Sequence, residues 1–257
     1  MQIVNRAYRA GTGMNLRAGI LVAGFSFFYA GMALAENHQQ TFSVELGASR
    51  LIYPLNGKNA AIRVDNKQNY PVLVRSKVLM ESGKKDFAPF ITTPPLFRLD
   101  SHQSSVVTVT RTSGKYPTDR ESLNWLCVKA IPPDKDAEWA KSAGEKNIVN
   151  NVQVVLENCI KLLVRPGELS NNPADIAEKV EWKAEGKNLH AHNPTPYYMN
   201  ISGVRFNGEK LTLKDGYIAP YSDVDMPFSS ALKTGGKAQW TVIGDYGEKR
   251  EISSDVN

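Results

Sequence analysis

Along most of this 257-residue chain, apolar residues alternate with polar ones at the two-residue period of half-buried strands, and helical periodicity is scarce. Short runs rich in Val, Ile, Phe and Tyr recur between turn signals. They predict strands at Phe42–Tyr53, Ala61–Asn66, Pro71–Met80, Leu96–Leu99, Ser104–Arg111, Ser122–Ile131 and Val152–Val164. Seven strands in about 125 residues suit an immunoglobulin-like sandwich. After Arg165-Pro166-Gly167 and the polar stretch "ELSNNPADI", a second set follows at Val180–Glu185, Leu189–Asn193, Tyr198–Phe206, Lys210–Leu213, Gly216–Ile218, Ser222–Pro227, Ala238–Gly244 and Lys249–Ser253. The fold class is therefore all-β, with two immunoglobulin-like β-sandwich domains meeting near Pro166 to Asn172. Between Ile131 and Ile148 the charged segment "PPDKDAEWAKSAGEKN" predicts a long solvated loop, with room for a short helix around Asp136–Ala143.

The last strand of the first set is too long for its domain. Its even positions, Val152, Val154, Leu156, Asn158, Ile160, Leu162 and Val164, form an almost wholly apolar stripe. Thirteen residues reach roughly 43 Å at ~3.3 Å each, whereas a usual strand has about 5–6 residues. Part of that stripe must be covered by something other than its own sandwich.

The ends and the charge narrow the setting. Residues 1–35 carry Arg6, Arg9 and Arg17 ahead of the apolar run "GILVAGFSFFYAGMALA", and Ala33-Leu34-Ala35 fits a signal-peptidase site before Glu36. The run is at the short limit for a membrane span and lacks a basic stop-transfer cluster, so a cleaved export signal is the reading, with Met14 an alternative start. That segment holds three of the 31 Lys and Arg and none of the 26 Asp and Glu, so the formal charge falls from +5 to +2 on its removal. No nucleic-acid footprint remains. The domains are then 36–166 and 167–257. Both cysteines, Cys127 and Cys159, lie in the exported part and argue for one disulfide, against the alternative of two free thiols.

No catalytic constellation stands out, and no cofactor is expected. "GASRL" at 47–51 lacks the last Gly of a nucleophile elbow, and "GVRFNGEK" at 203–210 lacks the ending of a phosphate loop. His190 and His192 share a strand face, but no third ligand is near in sequence, so two surface histidines and no metal are expected. Two cations are more informative. Arg50 ends "VELGASR", and Lys161 is flanked by Ile160 and Leu162. A cation among apolar strand residues either snorkels to water at a sandwich edge or finds an anion, and a carboxylate would suit the pair.

The segments "DNKQNYPVLVRS", "FITTPPLFRLDSHQ", "YPTDRESLNWLCVKAIPP", "NCIKLLVRP" and "NPTPYYMNI" together resemble the PapD-like periplasmic chaperones of the chaperone–usher pathway, in order and over essentially the whole exported chain. Cysteines flanking an extended loop resemble the long F–G-loop subfamily, which assembles fibrillar or capsule-like surface antigens. The resemblance implies two sandwiches at an angle with a cleft between them, and binding without catalysis. It implies a fimbrial or fibrillar subunit and an outer-membrane usher as partners, in the periplasm. On that pattern Arg50 and Lys161 anchor the subunit's C-terminal carboxylate. Ile148, Val152, Val154 and Leu156 are the donor residues that complete the subunit's core, with polar Asn150 interrupting them. Glu121, Arg165 and Asp245 match an interdomain charge network, and Thr93-Pro94 a cis peptide. An exposed apolar edge of this kind invites self-association of the free protein. The competing readings are a secreted structural subunit or adhesin of two such domains, disfavoured by the short polar "ENHQQTFSVELG" at its start, and an exported enzyme on a β scaffold.

Overall fold

The computed structural model describes residues 38–81, 86–133, 151–228 and 236–256, with backbone alone at 38–40 and 151–153. The segment read as an export signal, Ile148, Asn150 and the helix expected around Asp136–Ala143 lie outside them. The described strands of the first half are β1 (His38–Phe42), β2 (Glu45–Leu46), β3 (Arg50–Pro54), β4 (Ala60–Asp65), β5 (Val72–Met80), β6 (Phe90–Thr93), β7 (Leu96–Leu99), β8 (Ser104–Arg111), β9 (Ser122–Ile131), β10 (Asn151–Val155) and β11 (Glu157–Arg165). They form a five-stranded sheet, β3-β11-β9-β5-β7, a four-stranded sheet, β2-β4-β8-β6, and a two-stranded ladder, β1-β10. The two larger sheets bury one core. Its members include Tyr53 and Leu51 of β3, Val72, Val74 and Val78 of β5, Leu126 and Val128 of β9, and Leu162 and Val164 of β11, facing Ile62, Val64, Val107 and Val109. Thr93–Pro94 is cis.

Two of the expected strands are divided. Phe42–Tyr53 is not one strand but three, because the chain changes partners twice: β1 pairs with β10, β2 with β4, and β3 with β11. Gly47 sits at the second change, where a Cβ would lie 3.2 Å from Arg63 Cβ, so the small residue permits the close crossing. Val152–Val164 is likewise interrupted at Leu156. There the backbone turns from the β1 ladder to the main sheet: Leu156 N–H donates to Phe42 O at 2.9 Å, and Leu156 O accepts from Ala130 N–H at 3.4 Å. Val155 and Leu156 are both exposed, at 37% and 42%, so strict alternation fails at that point. Asn158, the polar member of the apolar stripe, is accounted for by the hydrogen bond its Nδ2 donates to Val44 O at 2.5 Å.

The second half holds β12 (Glu181–Glu185), β13 (Asn188–Asn193), β14 (Met199–Phe206), β15 (Glu209–Leu211), β16 (Tyr217–Ile218), β17 (Ser222–Pro227), β18 (Gly236–Ile243) and β19 (Lys249–Val256). They run as one curled sheet, β15-β14-β18-β19-β12-β13-β17, with β16 on β14. The join between its two layers is narrow, a single paired position, Trp182 with Val256. Its core centres on Trp182 and Trp240, ring centroids 5.5 Å apart, with Leu189, Met199, Phe206, Ile218 and Met226 around them. Both halves are immunoglobulin-like sandwiches, and they belong to one compact unit, Asn37–Asn257.

Candidate functional site

β11 serves two bodies at once because strand side chains alternate. Its even residues Leu162 and Val164 enter the first core, with Ile160 packed against it. Its odd residues Lys161, Leu163 and Arg165 face the second domain, where Leu163 joins Leu123 and Tyr198 in a small shared core bordered by Ile52, Trp125 and Tyr217. The same odd face carries Cys159, directly opposite Cys127 of β9 and bonded to it.

Parallel pairing of β3 with β11 puts Arg50 opposite Lys161 and Ile52 opposite Leu163. Two cations thus occupy paired positions on one face. If their charges were as close as their strands, ~4.8 Å, they would repel by about 3.5 kcal/mol at an effective dielectric near 20. Arg50 is only 6% exposed. Its Nη1 donates to Ile243 O at 3.1 Å and its Nε reaches Ser49 Oγ at 3.5 Å, and no described carboxylate lies within ion-pair distance of it. Burial lowers its pKa, partly offset by the more distant charges of Asp245, Glu248 and Glu121; an arginine nevertheless stays protonated. Lys161 Nζ donates to Asn200 Oδ1 at 2.5 Å and lies 4.5 Å from the centroid of the Tyr217 ring. These second-domain contacts were not visible in the sequence. Asn200 is itself held by a bond from its Nδ2 to Tyr198 O at 3.2 Å, and the hydroxyls of Tyr217 and Tyr198 donate to Glu81 at 2.7 and 3.2 Å. Burial, then the Glu81 carboxylate, drives both tyrosine pKa values well above the ordinary range.

Glu121, Arg165 and Asp245 come together two steps of the alternation beyond Lys161. Arg165 Nε donates to Glu121 Oε1 at 2.6 Å, and its Nη1 and Nη2 hold both Asp245 oxygens at 2.6 and 2.7 Å. The second Glu121 oxygen accepts from Tyr198 N–H at 2.8 Å. Burial pushes the Glu121 carboxyl up, against the pull of Arg165. Burial acts in the opposite sense on Arg165, but the Asp245 hydrogen bonds and the Glu121 charge raise its pKa.

β10 (Asn151–Val155) precedes β11 along the chain. One of its edges is taken by β1, in register from His38 with Asn151 to Phe42 with Val155. Among the described residues no strand pairs with the other edge. Val154 is half-buried and Leu156 exposed, while Val152 is described by its backbone alone and Ile148 not at all. The pairing of β1 was missed in the sequence, where "HQQTF" is too polar to signal a strand.

Comparison with known proteins agrees with this arrangement. Residues 43–170 match the model of the pili and flagellar-assembly chaperone PapD N-terminal domain, and residues 175–254 that of the pili assembly chaperone PapD C-terminal domain. The chain is 44% identical to chaperone protein AggD of Escherichia coli, over 89% of this chain and 91% of that one. It is 38% identical to chaperone protein caf1M of Yersinia pestis, over 89% and 92%. The crystal structure of the E. coli chaperone DraB superposes with a TM-score of 0.73 at 41% identity, covering 86% of this chain and all of that one. The Salmonella enterica chaperone SafB, solved with the pilin SafA, gives 0.71 at 37% identity, over 85% and 98%. The chain belongs to the PapD family of periplasmic chaperones of the chaperone–usher pathway, binding proteins without catalytic activity.

Proposed function

We propose that this chaperone holds a fimbrial or fibrillar subunit by lending it β10 and the start of β11 as a strand, while Arg50 and Lys161 grip the subunit's C-terminal carboxylate. The observation that carries the reading is the pair of cations in register, one of them buried without a carboxylate, at the foot of a strand whose second edge has no described partner. A carboxylate turns the repulsion between them into two charge-assisted bonds. Leu156 lies five residues from Lys161, about 16 Å along the strand, so an incoming strand anchored at Lys161 can run back along β10. Because its last residue lies at the Lys161 end, it runs parallel to β10. Main-chain bonds supply affinity, and Val154 and Leu156, with Val152 and Ile148 beyond them, fill the subunit's groove. The interdomain network of Glu121, Arg165 and Asp245 keeps the second domain, and with it Asn200 and Tyr217, against Lys161.

The subunit is then passed to an outer-membrane usher. The domains are taken as 36–166 and 167–257, after removal of residues 1–35. When free, the exposed apolar edge at Val155 and Leu156 favours self-association. The test is co-expression with the cognate subunit: Lys161→Ala and Arg50→Ala chaperones fold and accumulate, but subunit does not co-purify from periplasm. Normal subunit yield with the Lys161 variant overturns the carboxylate assignment.

A further inference from the structure

The start of β14 and its partner β16 turn one face to the second core and the other to the first domain. Met199 and Ile218 enter the core, while Tyr198, Asn200 and Tyr217 alternate with them onto the opposite face. Asn200 and Tyr217 are directly opposed across the ladder, so both side chains reach the same point. That point is the Lys161 ammonium, 2.5 Å from Asn200 Oδ1 and 4.5 Å from the Tyr217 ring centroid. A neutral amide and a ring face orient the cation without cancelling its charge.

This platform is tied back to the first domain by Glu81, which directly follows β5. One Glu81 oxygen accepts from the Tyr217 hydroxyl at 2.7 Å and the other from the Tyr198 hydroxyl at 3.2 Å. The two rings meet edge to face, centroids 5.3 Å apart. Burial, and next to it Glu81, pushes both phenols up in pKa, so each stays protonated and donates. Tyr198 is fixed at its backbone as well: its N–H donates to Glu121, and its carbonyl accepts from Asn200 Nδ2. Glu81 therefore reaches Tyr217 directly and Asn200 through Tyr198.

We propose that Glu81 is a positioning residue for subunit capture: by holding both phenols it fixes the Tyr217 ring and the Asn200 amide that aim Lys161 at the subunit's terminal carboxylate. The inference rests on the reading of Arg50 and Lys161 as carboxylate anchors and names what pre-organises the second of them. A long flexible lysine loses rotamer freedom when it binds an anion, and a platform that has already ordered it reduces that cost. Without Glu81 the phenols lose their shared acceptor, the ring and amide loosen, and Lys161 no longer presents its charge at one place. A clasp that merely held the domains together would affect any bound strand alike, whereas a positioning role shows in the response to the ligand's charge.

The test titrates wild type, Glu81→Ala, Glu81→Gln and Tyr217→Phe with a synthetic peptide of the cognate subunit's C-terminal strand, as the free acid and as the C-terminal amide. Glu81→Ala is expected to lower the acid-to-amide affinity ratio at least ~10-fold, the worth of one hydrogen bond to a charged group, with amide affinity unchanged. Tyr217→Phe lowers the ratio in the same direction, and Glu81→Gln, which keeps an acceptor, restores part of it. A second readout needs no peptide: in protein carrying isotope-labelled lysine, the Lys161 ε-methylene resonance, assigned with Lys161→Arg, lies upfield in wild type because of the Tyr217 ring and returns toward the other lysines in Glu81→Ala. Circular dichroism checks that each variant is folded. A full acid-to-amide ratio in Glu81→Ala, equal weakening of both peptides, or an unmoved Lys161 resonance overturns the proposal. A wild type that does not discriminate acid from amide overturns the carboxylate reading instead, and the Lys161 resonance still reports whether Glu81 orders the lysine.

Discussion

Arg165 is the residue whose removal the interdomain geometry makes most consequential. It neutralises Glu121, whose side chain is wholly buried, and holds both oxygens of Asp245 across the domain boundary. Arg165→Ala leaves a carboxylate buried with, among the described residues, the Tyr198 N–H as its remaining hydrogen-bond donor. Breaking a buried pair from one side costs about 3–5 kcal/mol. For a folded chain of this size each 1 kcal/mol moves a thermal midpoint by about 2–4 °C, so the expected fall is roughly 6–20 °C. Part of the loss is recoverable: Glu121→Ala/Arg165→Ala removes the stranded charge as well, and a double-mutant cycle should show the pair losing less than the sum of the single changes. Scanning calorimetry is the assay, and separation of one transition into two would report loosened domains. A midpoint within 2 °C of wild type for Arg165→Ala would refute the reasoning, since it would mean that Glu121 is not dependent on Arg165.

Other expectations follow from single features. Val154→Asp should abolish subunit binding, measured by co-purification, while leaving the thermal midpoint of the free protein nearly unchanged; a large drop would place Val154 in the chaperone's own core. Reducing the Cys127–Cys159 bond, which spans 32 residues, should cost about 3–4 kcal/mol in the chain-entropy account, read as a shift of the urea midpoint with and without reductant. The raised pKa of His190 makes its ion pairs with Asp225 and Asp223 stabilising below the unfolded value near 6.5, and that contribution is lost as pH rises through the higher folded value. Asp225→Asn should therefore be destabilised relative to wild type at pH 6 and nearly equal to it at pH 9. A difference that does not shrink with pH would contradict this.

The alternation of β11 was legible because one face, Ile160, Leu162 and Val164, is apolar at strict two-residue spacing. The role of Leu163 was not, since a lone leucine between Lys161 and Arg165 on the other face gives no apolar stripe, and the body that covers it is the second domain, through Tyr198. Lys161 and Arg50 stood out as cations among strand residues, yet their register needed the parallel pairing of β3 with β11. Asn200, Tyr217 and Glu81 were invisible as site residues because they reach Lys161, or one another, only through the fold. β6 was missed for a local reason: "FITT" is short and closed in by Pro89 and Pro94. The strand breaks after Phe42 and at Leu156 arise from changes of partner, which periodicity does not encode. The two aspartates opposite the H-x-H pair were likewise hidden, more than thirty positions away until β13 and β17 pair.

The most direct test of the central claim addresses the carboxylate itself. Purified chaperone is titrated with a synthetic peptide of the cognate subunit's C-terminal strand, made as the free acid, as the C-terminal amide, and with one extra residue. Amidation removes the charge that Arg50 and Lys161 are proposed to hold, and extension shifts it by about 3.3 Å. Losing one partner of a buried charged contact costs about 2–4 kcal/mol, or about 30- to 1000-fold in affinity. A loss of that size is expected for both altered peptides, and none beyond it when they are titrated into Lys161→Ala. Equal affinity for the acid and the amide would contradict it.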